Sequence, residues 1–463
     1  MKRLITIFLF SFSSMLCAQE ERSVLRFDEY LAFVKKYHPI AKQAQLVISE
    51  SEAKLLKARG AFDPKLTLDY DRKKFKGTTY YDKLNTSFKI PTWYGIALKA
   101  NFEETDGVYL NPEKTLPQDG LYSAGISFSV AQGLIINKRM ASLKQAKFFK
   151  QQAQADRDIL VNNIIYQASL VYFNWLKTYN EVNLYKEFLS NAQLRFNGIK
   201  QNVEVGENAA IDLVEARIVV NERALLQEKA KVKFMKATLE LSNYLWLENN
   251  IPIELQENVI PNVNSEESID DSLNISELAI YDFNIETHPK VKSLSYKYES
   301  LKIEKRLKAN MLLPKIDLQY NFLSQTPEVT NSFNTANYKS AVTMRFPLFL
   351  RKERGDLKLA KLKMQNTTLD ITVSKLRIKN KVDAIKNELQ SYTIQNDLTD
   401  KMIQDYEQLV AAEERKFTLG ESSLFLVNSR ERKLMDARLK AIILENNYFE
   451  TKANLFNNLA VSI

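Results

Sequence analysis

The sequence predicts a mainly α-helical fold with a small β part, built as an internal tandem duplication around long antiparallel coiled-coil helices. Its 463 residues include 11 prolines and 11 glycines, a low number that favours long helices over a loop-rich fold. Motifs of the first half recur in the second half at fixed offsets, as expected of a duplication. Two stretches without proline carry apolar residues at alternating spacings of three and four, the pattern of coiled coils.

The composition excludes several classes of protein. Hydrophobic residues make up 45% of the chain and charged residues 26%, which excludes bulk disorder. A mean hydropathy of −0.31 excludes a polytopic helical membrane protein. The net charge of +9 comes with Lys and Glu interspersed along helical stretches, as on solvated helix faces, so no nucleic-acid partner is predicted. With two His and one Cys, no metal site, disulfide framework or cofactor is predicted.

The N-terminus is predicted to be a signal peptide over residues 1–18. Lys2 and Arg3 supply the positive start, and a mostly apolar run, too short to span a bilayer as a helix, follows. Cleavage after Ala18 would leave a mature chain without cysteine. Lipidation of Cys17 is the alternative, although Leu16 before it is larger than the residue a lipobox usually has. Both alternatives predict an exported bacterial protein.

The duplication is marked by His-Pro and Pro-Lys pairs. His38-Pro39 recurs as His288-Pro289, and Pro64 recurs as Pro314, each 250 residues later. Proline suits the first helical turn, so the histidines are interpreted as markers of helix starts. The first helix of each half is predicted over Asp28–Ala61 and Ser276–Met311.

Each half then predicts strands, because apolar and polar residues alternate. The first half is about 34 residues longer, and either an extra hairpin or a longer strand pair fits this excess. The strands predicted at matching places of the two halves are Lys65–Tyr70 and Lys315–Tyr320, then Gly125–Val130 and Ala341–Phe346.

A long helical hairpin closes each half. The apolar seam runs over residues 164–203 and, 214 residues later, over 378–417, and includes Trp175 and Tyr185. A core seam is the simple interpretation, and a cofactor box is the alternative. The first helix, 138–203, would be about 100 Å long, so it must pack against other long helices. Glycine stops both helices, and second helices follow to about Leu247 and Leu459.

These elements define the expected domain plan. The connector carries two prolines and an acidic run that includes Glu266 and Asp270, interpreted as a solvated loop. With little chain after Leu459, a mid-helix girdle would depend on this connector alone. The plan is a signal peptide, 1–18; a first repeat, 19–250, with strands about 65–131 and a helical hairpin about 134–247; a connector, 251–275; and a second repeat, 276–463, with strands about 315–346 and a hairpin about 350–460.

Two or three isolated strands per half leave open edges, which several chains could close together as a barrel. Aromatic residues such as Tyr70, Trp93 and Tyr320 accompany the strands, and aromatic girdles are typical of transmembrane barrels. Export, alternating strands and very long helices together favour an outer-membrane protein.

With this plan, the sequence resembles the TolC family of outer-membrane efflux and secretion channels over essentially the whole mature chain. The resemblance depends on the duplicated order of elements, the His-Pro and Pro-Lys pairs, and the Val205-Gly206 and Leu419-Gly420 turns. It implies a homotrimer that forms one β-barrel in outer-membrane lipid and one periplasmic helical tunnel, a trimeric α-barrel. It also implies a periplasmic adaptor and an inner-membrane pump of the RND or ABC class as partners.

The resemblance also predicts functional residues at the two helical tips. The adaptor would contact Val205, Gly206 and Glu207 at the first tip, and Leu419, Gly420 and Glu421 at the second. Some members of the family close the second tip with carboxylates, but the matching positions here are Leu426 and Ser429. Asp212 and Glu215 could instead ring the pore and favour cations, and first-turn stabilisation of a helix is the alternative role of Asp212.

Several functions remain as alternatives at this stage. An enzyme is not predicted, because no phosphate-binding Gly-rich loop or H-E-x-x-H motif is present. A periplasmic structural coiled-coil protein would have the helices but no need of the strands. Among channels, efflux of small molecules is the leading hypothesis and ABC-driven protein secretion the alternative.

Overall fold

The computed structural model describes most of the chain after the predicted signal peptide. That peptide, including Cys17, lies outside the described part. Within that part no helix is both long enough and apolar enough to cross a membrane. The described residues are 23–256, 258–263, 266–275, 283–326 and 334–460.

The first repeat begins with two helices, α1 (Phe27–Tyr37) and α2 (Pro39–Arg59), where one continuous helix was predicted. That prediction was wrong because His38 has an extended backbone (φ −62°, ψ 133°) and ends α1. Proline has no N–H and disfavours helical backbone in the residue before it, so a new helix starts at Pro39. The Nδ1 atom of His38 accepts a hydrogen bond from the backbone N–H of Ile40 (3.2 Å) and caps α2.

The second repeat has the same cap. A 3₁₀ turn over Ile285–Thr287 precedes His288, whose Nδ1 accepts from the backbone N–H of Lys290 (3.0 Å). The predicted start of this helix at Ser276 was therefore too early, since Pro289 starts the helix for the same reason as Pro39. Residues 276–282 lie outside the described part.

Long helices form the bulk of the structure, which confirms the mainly α prediction. The longest have 67 and 68 residues, about 100 Å each at the rise of an α-helix. Every position of both predicted seams is buried or half-buried. The helices, in chain order after α2, are α3 (Lys138–Glu204), α4 (Ala210–Ser242), α5 (Glu266–Leu273), α6 (Pro289–Asn310), α7 (Arg351–Thr418) and α8 (Leu424–Leu459).

The long helices are arranged side by side with α3 in the interior. Helix α3 packs against α2, α4, α6 and α8, whereas α7 packs against α6 and α8. Helices α2 and α4 therefore form one edge of the described helical layer, and α7 forms the other.

An antiparallel sheet of six strands continues this layer. The strands of the described part are β1 (Ser23–Leu25), β2 (Lys65–Phe75), β3 (Thr78–Pro91), β4 (Ile96–Asp106), β5 (Leu121–Ala131), β6 (Val259–Pro261), β7 (Lys315–Ser324) and β8 (Tyr338–Arg345). The sheet has the order β2-β3-β4-β5-β7-β8, so β2 and β8 are its edges. The other two strands, β1 and β6, form a separate parallel pair.

The excess length of the first repeat is an inserted hairpin, one of the two alternatives that the sequence left open. Strands β2 and β7 follow the matching prolines Pro64 and Pro314, and β5 and β8 are the matching second strands. In the second repeat β7 pairs directly with β8, whereas the hairpin of β3 and β4 separates β2 from β5. The first repeat thus contributes four strands to the six-stranded sheet, and the second repeat contributes two.

The largest core lies midway along the helices. Tyr30 of α1, Trp175 of α3 and Phe456 of α8 are fully buried there, together with Ile269 of α5. The expectation that residues 248–274 alone build a girdle at this level was wrong, since α1 contributes Phe27 and Tyr30 as well. The missed signal was the apolar spacing of α1 itself.

Candidate functional site

The six-stranded sheet has one apolar and one polar face. Alternate residues of a strand, with their cross-strand partners, share a face, so the register assigns each side chain to one of them. One residue of the apolar face from each strand, in sheet order, is Leu68, Phe88, Leu98, Phe128, Leu318 and Val342. The corresponding polar set is Asp69, Lys89, Lys99, Ser127, Asp317 and Thr343.

Aromatic side chains concentrate toward the end of the apolar face that lies away from the helices, here called the distal end. Phe102 packs on Tyr122 with ring centroids 4.7 Å apart, and Tyr320 stacks on Tyr338 at 5.4 Å. Strands of ten or eleven residues with such a face have the length and the aromatic band of transmembrane β-strands.

The inserted hairpin is fixed to the helices at its turn. The side chain of Asn137, which caps α3, donates to the carbonyl of Trp93 (3.0 Å), and Arg139 donates to the carbonyl of Thr92 (3.3 Å). The Trp93 ring also stacks on Phe62, with centroids 5.5 Å apart. These contacts make the hairpin an integral part of the sheet.

Both edges of the helical layer expose apolar residues at coiled-coil spacing. In α4 the exposed positions follow spacings of three, four and seven, and α7 has a comparable stripe. The α4 stripe is Ile211, Val214, Ile218, Leu225, Val232, Met235 and Leu239. The α7 stripe is Leu362, Leu369, Val373, Leu376, Ile394 and Leu398.

Trp175 is fully buried in the core and is not exposed at a surface where a cofactor could bind. Its indole N–H donates to the hydroxyl of Thr238 on α4 (3.0 Å), and its ring stacks on Phe234. Tyr185 lies in a neighbouring core cluster of the same seam. Within the described residues no cluster of three His, Cys, Asp or Glu side chains could hold a metal ion.

The first tip is a Schellman turn, the helix ending that requires a left-handed residue. The N–H of Gly206 donates to the carbonyl of Val203 (3.2 Å), and the N–H of Glu207 donates to that of Asn202 (2.8 Å). Gly206 has φ +84°, a conformation that glycine adopts at no steric cost. Val205 precedes it with 72% of its surface exposed.

The second tip repeats this turn residue for residue. The N–H of Gly420 donates to the carbonyl of Phe417 (3.1 Å), and the N–H of Glu421 donates to that of Lys416 (2.9 Å). Gly420 has φ +76°, and Leu419 takes the exposed position of Val205. The six residues predicted at the tips therefore lie at two equivalent chain reversals.

Sequence reasoning missed one exposed apolar residue at each tip. Ile211 is the second residue of α4 and Phe425 is the second residue of α8, and each is about two-thirds exposed. They are 214 residues apart, the same offset as the two glycines, so the repeat itself could have identified them. Each tip thus presents at least two bulky apolar side chains.

The two predicted carboxylates have different surroundings. Asp212 lies in the first turn of α4 and accepts from the side chain of Asn208 (3.1 Å). Glu215 accepts from the side chain of Asn428 on α8 (2.9 Å). Their place in a pore stays a prediction. Leu426 and Ser429 lie in the first turns of α8.

An ionic network joins the helices above the tips. Arg195 of α3 binds Glu431 of α8 (3.0 Å) and Glu414 of α7 (2.8 Å). Burial disfavours the charged guanidinium, but the hydrogen bonds to the two carboxylates raise the pKa of Arg195 above its ordinary value. Since Asn428 links α8 to Glu215 of α4, all four helices of the two hairpins are connected.

No protein-family profile matches the sequence, and no curated protein sequence matches it either. Solved structures of outer-membrane proteins, channels among them, do share its fold. The Campylobacter jejuni channel CmeC is 14% identical, with 94% of this chain and 85% of that chain covered and a TM-score of 0.65. The open state of the Neisseria gonorrhoeae channel MtrE is also 14% identical, with 94% and 89% covered and a TM-score of 0.66. VceC of Vibrio cholerae is 11% identical, with 94% and 96% covered and a TM-score of 0.64.

These comparisons confirm, at the level of fold, the resemblance to TolC-type outer-membrane channels that the sequence predicted. The similarity extends over nearly the whole length of both proteins in each pair. CmeC and MtrE are outer-membrane channels, and VceC is an outer-membrane protein.

Proposed function

We propose that three copies of this chain form a passive duct from the periplasm through the outer membrane. The duct exports small molecules that an inner-membrane pump delivers through a periplasmic adaptor. The observation that carries the proposal is that the sheet and the helical layer both end in an open edge on each of the same two sides of the chain. Copies joined along these edges would make a β-barrel and a helical tunnel on one axis.

The sheet supports a location in the outer membrane. At a tilt of about 40°, a strand of ten residues rises about 25 Å, which matches the apolar band of transmembrane barrels. The apolar face would then contact lipid, and the polar face, with Lys89, Lys99 and Asp317, would line a water-filled lumen.

The helical edges support the same joining of copies. The stripe on α7 and the stripe on α4 lie at opposite edges of the described layer, so one stripe can pack on the other stripe of the next copy. Contacts between two different patches continue around an axis and close a ring. The helices, at about 100 Å, are long enough to cross much of the periplasm.

The tips support the contact with an adaptor. Val205, Ile211, Leu419 and Phe425 are exposed at the chain reversals farthest from the sheet, where a partner can bind them. Exposed apolar residues gathered at one place are typical of protein interaction sites. Gly206, Glu207, Gly420 and Glu421 shape the turns that present them.

The first experiment is the detergent-corrected mass of the protein extracted from outer membranes. We expect the mass of three chains in a particle that requires detergent. A monomer released without detergent would overturn the proposal and favour a periplasmic structural coiled-coil protein.

Copurification tests the partners. We expect a tagged protein to retain a periplasmic adaptor and an RND pump, and expect Val205→Asp with Leu419→Asp to lose both at an unchanged trimer mass. Val108→Asp is the control, because Val108 is as exposed as Val205 but lies in a distal loop. Recovery of an ABC pump instead would indicate protein secretion.

A further inference from the structure

The two edge strands of the sheet are fully exposed. Each residue of β2 and of β8 has an exposed surface, and each strand has one partner within the described sheet. Unpaired strand edges expose backbone N–H and C=O groups that no water can satisfy in a lipid bilayer. A duct in the membrane therefore requires that these two edges find partners.

The register shows by how many residues the pairing shifts along the strands from one edge of the sheet to the other, a shift called here the climb. A line perpendicular to the strands starts at Lys65, near the helices, and ends at Lys339, at the distal end of β8. Arg345, the residue of β8 nearest the helices, lies six positions farther along the strand. The line passes through Lys65, Lys89, Lys99, Gly125, Asn321 and Lys339.

This climb fixes the register of a closed ring. If the copies stand level around one axis, Arg345 of one copy lies beside Lys65 of the next. Strand β8 runs toward the helices and β2 runs away from them, so the new pair is antiparallel. Thr343 then faces Thr67, and Lys339 faces Asp71.

We propose that β8 of one copy pairs with β2 of the next in this register, so that three copies of six strands close an eighteen-stranded barrel. The inference rests on the proposed trimeric duct and adds its strand number, interface and width. The partner at each sheet edge is a second copy of the same chain.

Side chains across the new pair agree with this register. Met344 meets Leu66 and Val342 meets Leu68 on the apolar face. On the polar face Lys339 meets Asp71, an attractive pair that offsets the like charges of Arg345 and Lys65 at the end next to the helices. A slip of one residue would exchange the two faces. A slip of two residues in one direction places Lys339 opposite Lys73 and leaves no pair of opposite charges between the two strands. A slip of two residues in the other direction places Met344 opposite Pro64, outside the strand.

The width of the barrel matches the helices below it. Eighteen strands at about 35° tilt give a circumference of about 105 Å. Twelve helix positions, four from each copy, give about 110 Å at interaxial distances near 9 Å. Without the inserted hairpin, twelve strands would give only about 70 Å at the same tilt. The hairpin of β3 and β4 therefore widens the barrel to the diameter of the tunnel.

Disulfide crosslinking tests the register, because the only cysteine of the sequence, Cys17, lies within the predicted signal peptide. We expect Thr67→Cys with Thr343→Cys to give covalent dimers and trimers after mild oxidation, at least tenfold faster than the off-register pair Asp71→Cys with Thr343→Cys. The control for oxidation is Asp317→Cys with Thr343→Cys, which are cross-strand partners within one copy.

The outcomes separate this inference from the proposed function. A protein with the mass of three chains that crosslinks faster in the off-register pair, or in neither pair, overturns the eighteen-stranded barrel alone. Loss of the trimer mass in the unmodified protein overturns both. If the Thr67 and Thr343 variants do not assemble, Leu68→Cys with Val342→Cys tests the same register from the apolar face, with the same expected result.

Discussion

The two repeats follow one plan but have different surroundings. Helix α3 of the first repeat is enclosed by four long helices, whereas its equivalent α7 lies at the edge of the described layer. Trp175 is fully buried, and Leu389, its counterpart 214 residues later, is half-buried. The same duplicated helix thus forms part of the core in the first repeat and an open edge of the layer in the second repeat.

The largest expected effect is a charge placed on the enclosed helix. Ala155 is buried in α3, so Ala155→Glu buries an unpaired carboxylate, costs about 5 kcal/mol and prevents accumulation of folded protein. Its counterpart Leu369 is 64% exposed, so Leu369→Glu leaves the chain folded and removes the trimer mass. Yield and detergent-corrected mass measure both effects. Equal losses of folded protein would contradict the contrast, and Leu369→Ala controls for loss of bulk.

Truncation of the two seams is expected to differ as well. Trp175→Ala should lower the free energy of unfolding by about 4 kcal/mol, because it leaves a cavity beside Phe234. Leu389→Ala should cost about 2 kcal/mol, because half-buried sites lose less contact. Denaturant unfolding in detergent measures both variants. Trp175→Phe, which keeps an aromatic ring but loses the hydrogen bond to Thr238, should fall between wild type and Trp175→Ala.

The histidine caps predict a pH dependence. Burial lowers the pKa of His288 from its ordinary 6.5 to about 4, against an opposing backbone hydrogen bond with Asn458, and burial lowers the pKa of His38 too. Between these values the unfolded chain binds a proton that the folded chain does not. Stability from His288 is therefore complete above about pH 6.5 and falls by about 3 kcal/mol as the pH drops toward 4.

Variants of the caps check this assignment. His288→Asn retains a capping side chain that does not titrate, so it should flatten the fall in thermal stability between pH 6.5 and 4. His38→Asn should flatten it less. An unchanged slope in His288→Asn would show that other groups cause the loss.

The smallest effects are expected at the tips. Gly206→Val and Gly420→Val force a β-branched residue to a positive φ, at about 1–2 kcal/mol each, because no described atom lies within 4 Å of the added Cβ to clash with it. Export should fall while the trimer mass stays constant. Gly206→Asn and Gly420→Asn are the matched controls, since Asn tolerates this conformation. Normal export in both Val variants would count against an adaptor contact at these turns.

Patterns that one helix satisfies alone were predictable from the sequence. The long helices depend on a sustained seam without proline, and both Schellman turns depend on a glycine at one offset. The strand faces depend on alternation, which the register preserves.

Features that depend on several segments were harder to predict. The break at His38 was obscured because the apolar spacing continues on both sides of it. The inserted hairpin depends on which strands pair, and alternation does not specify a partner. The mid-helix core combines α1, α3, α5 and α8, which are distant in the sequence. The exposed Ile211 and Phe425 required the repeat offset rather than local composition.

Because the sheet edges are open, the stability of the edge strands depends on the concentration of other copies of the chain. One copy leaves β2 and β8 without an outer partner, so the closed form gains its pairing energy only when other copies are present. At low concentration the population of a three-copy assembly follows the third power of the free chain. For the proposed three-copy duct, halving the supply of chains would therefore lower the number of assembled ducts about eightfold and the assembled fraction of the chains about fourfold. Expression level thus acts on this fold as temperature or denaturant acts on a monomeric one.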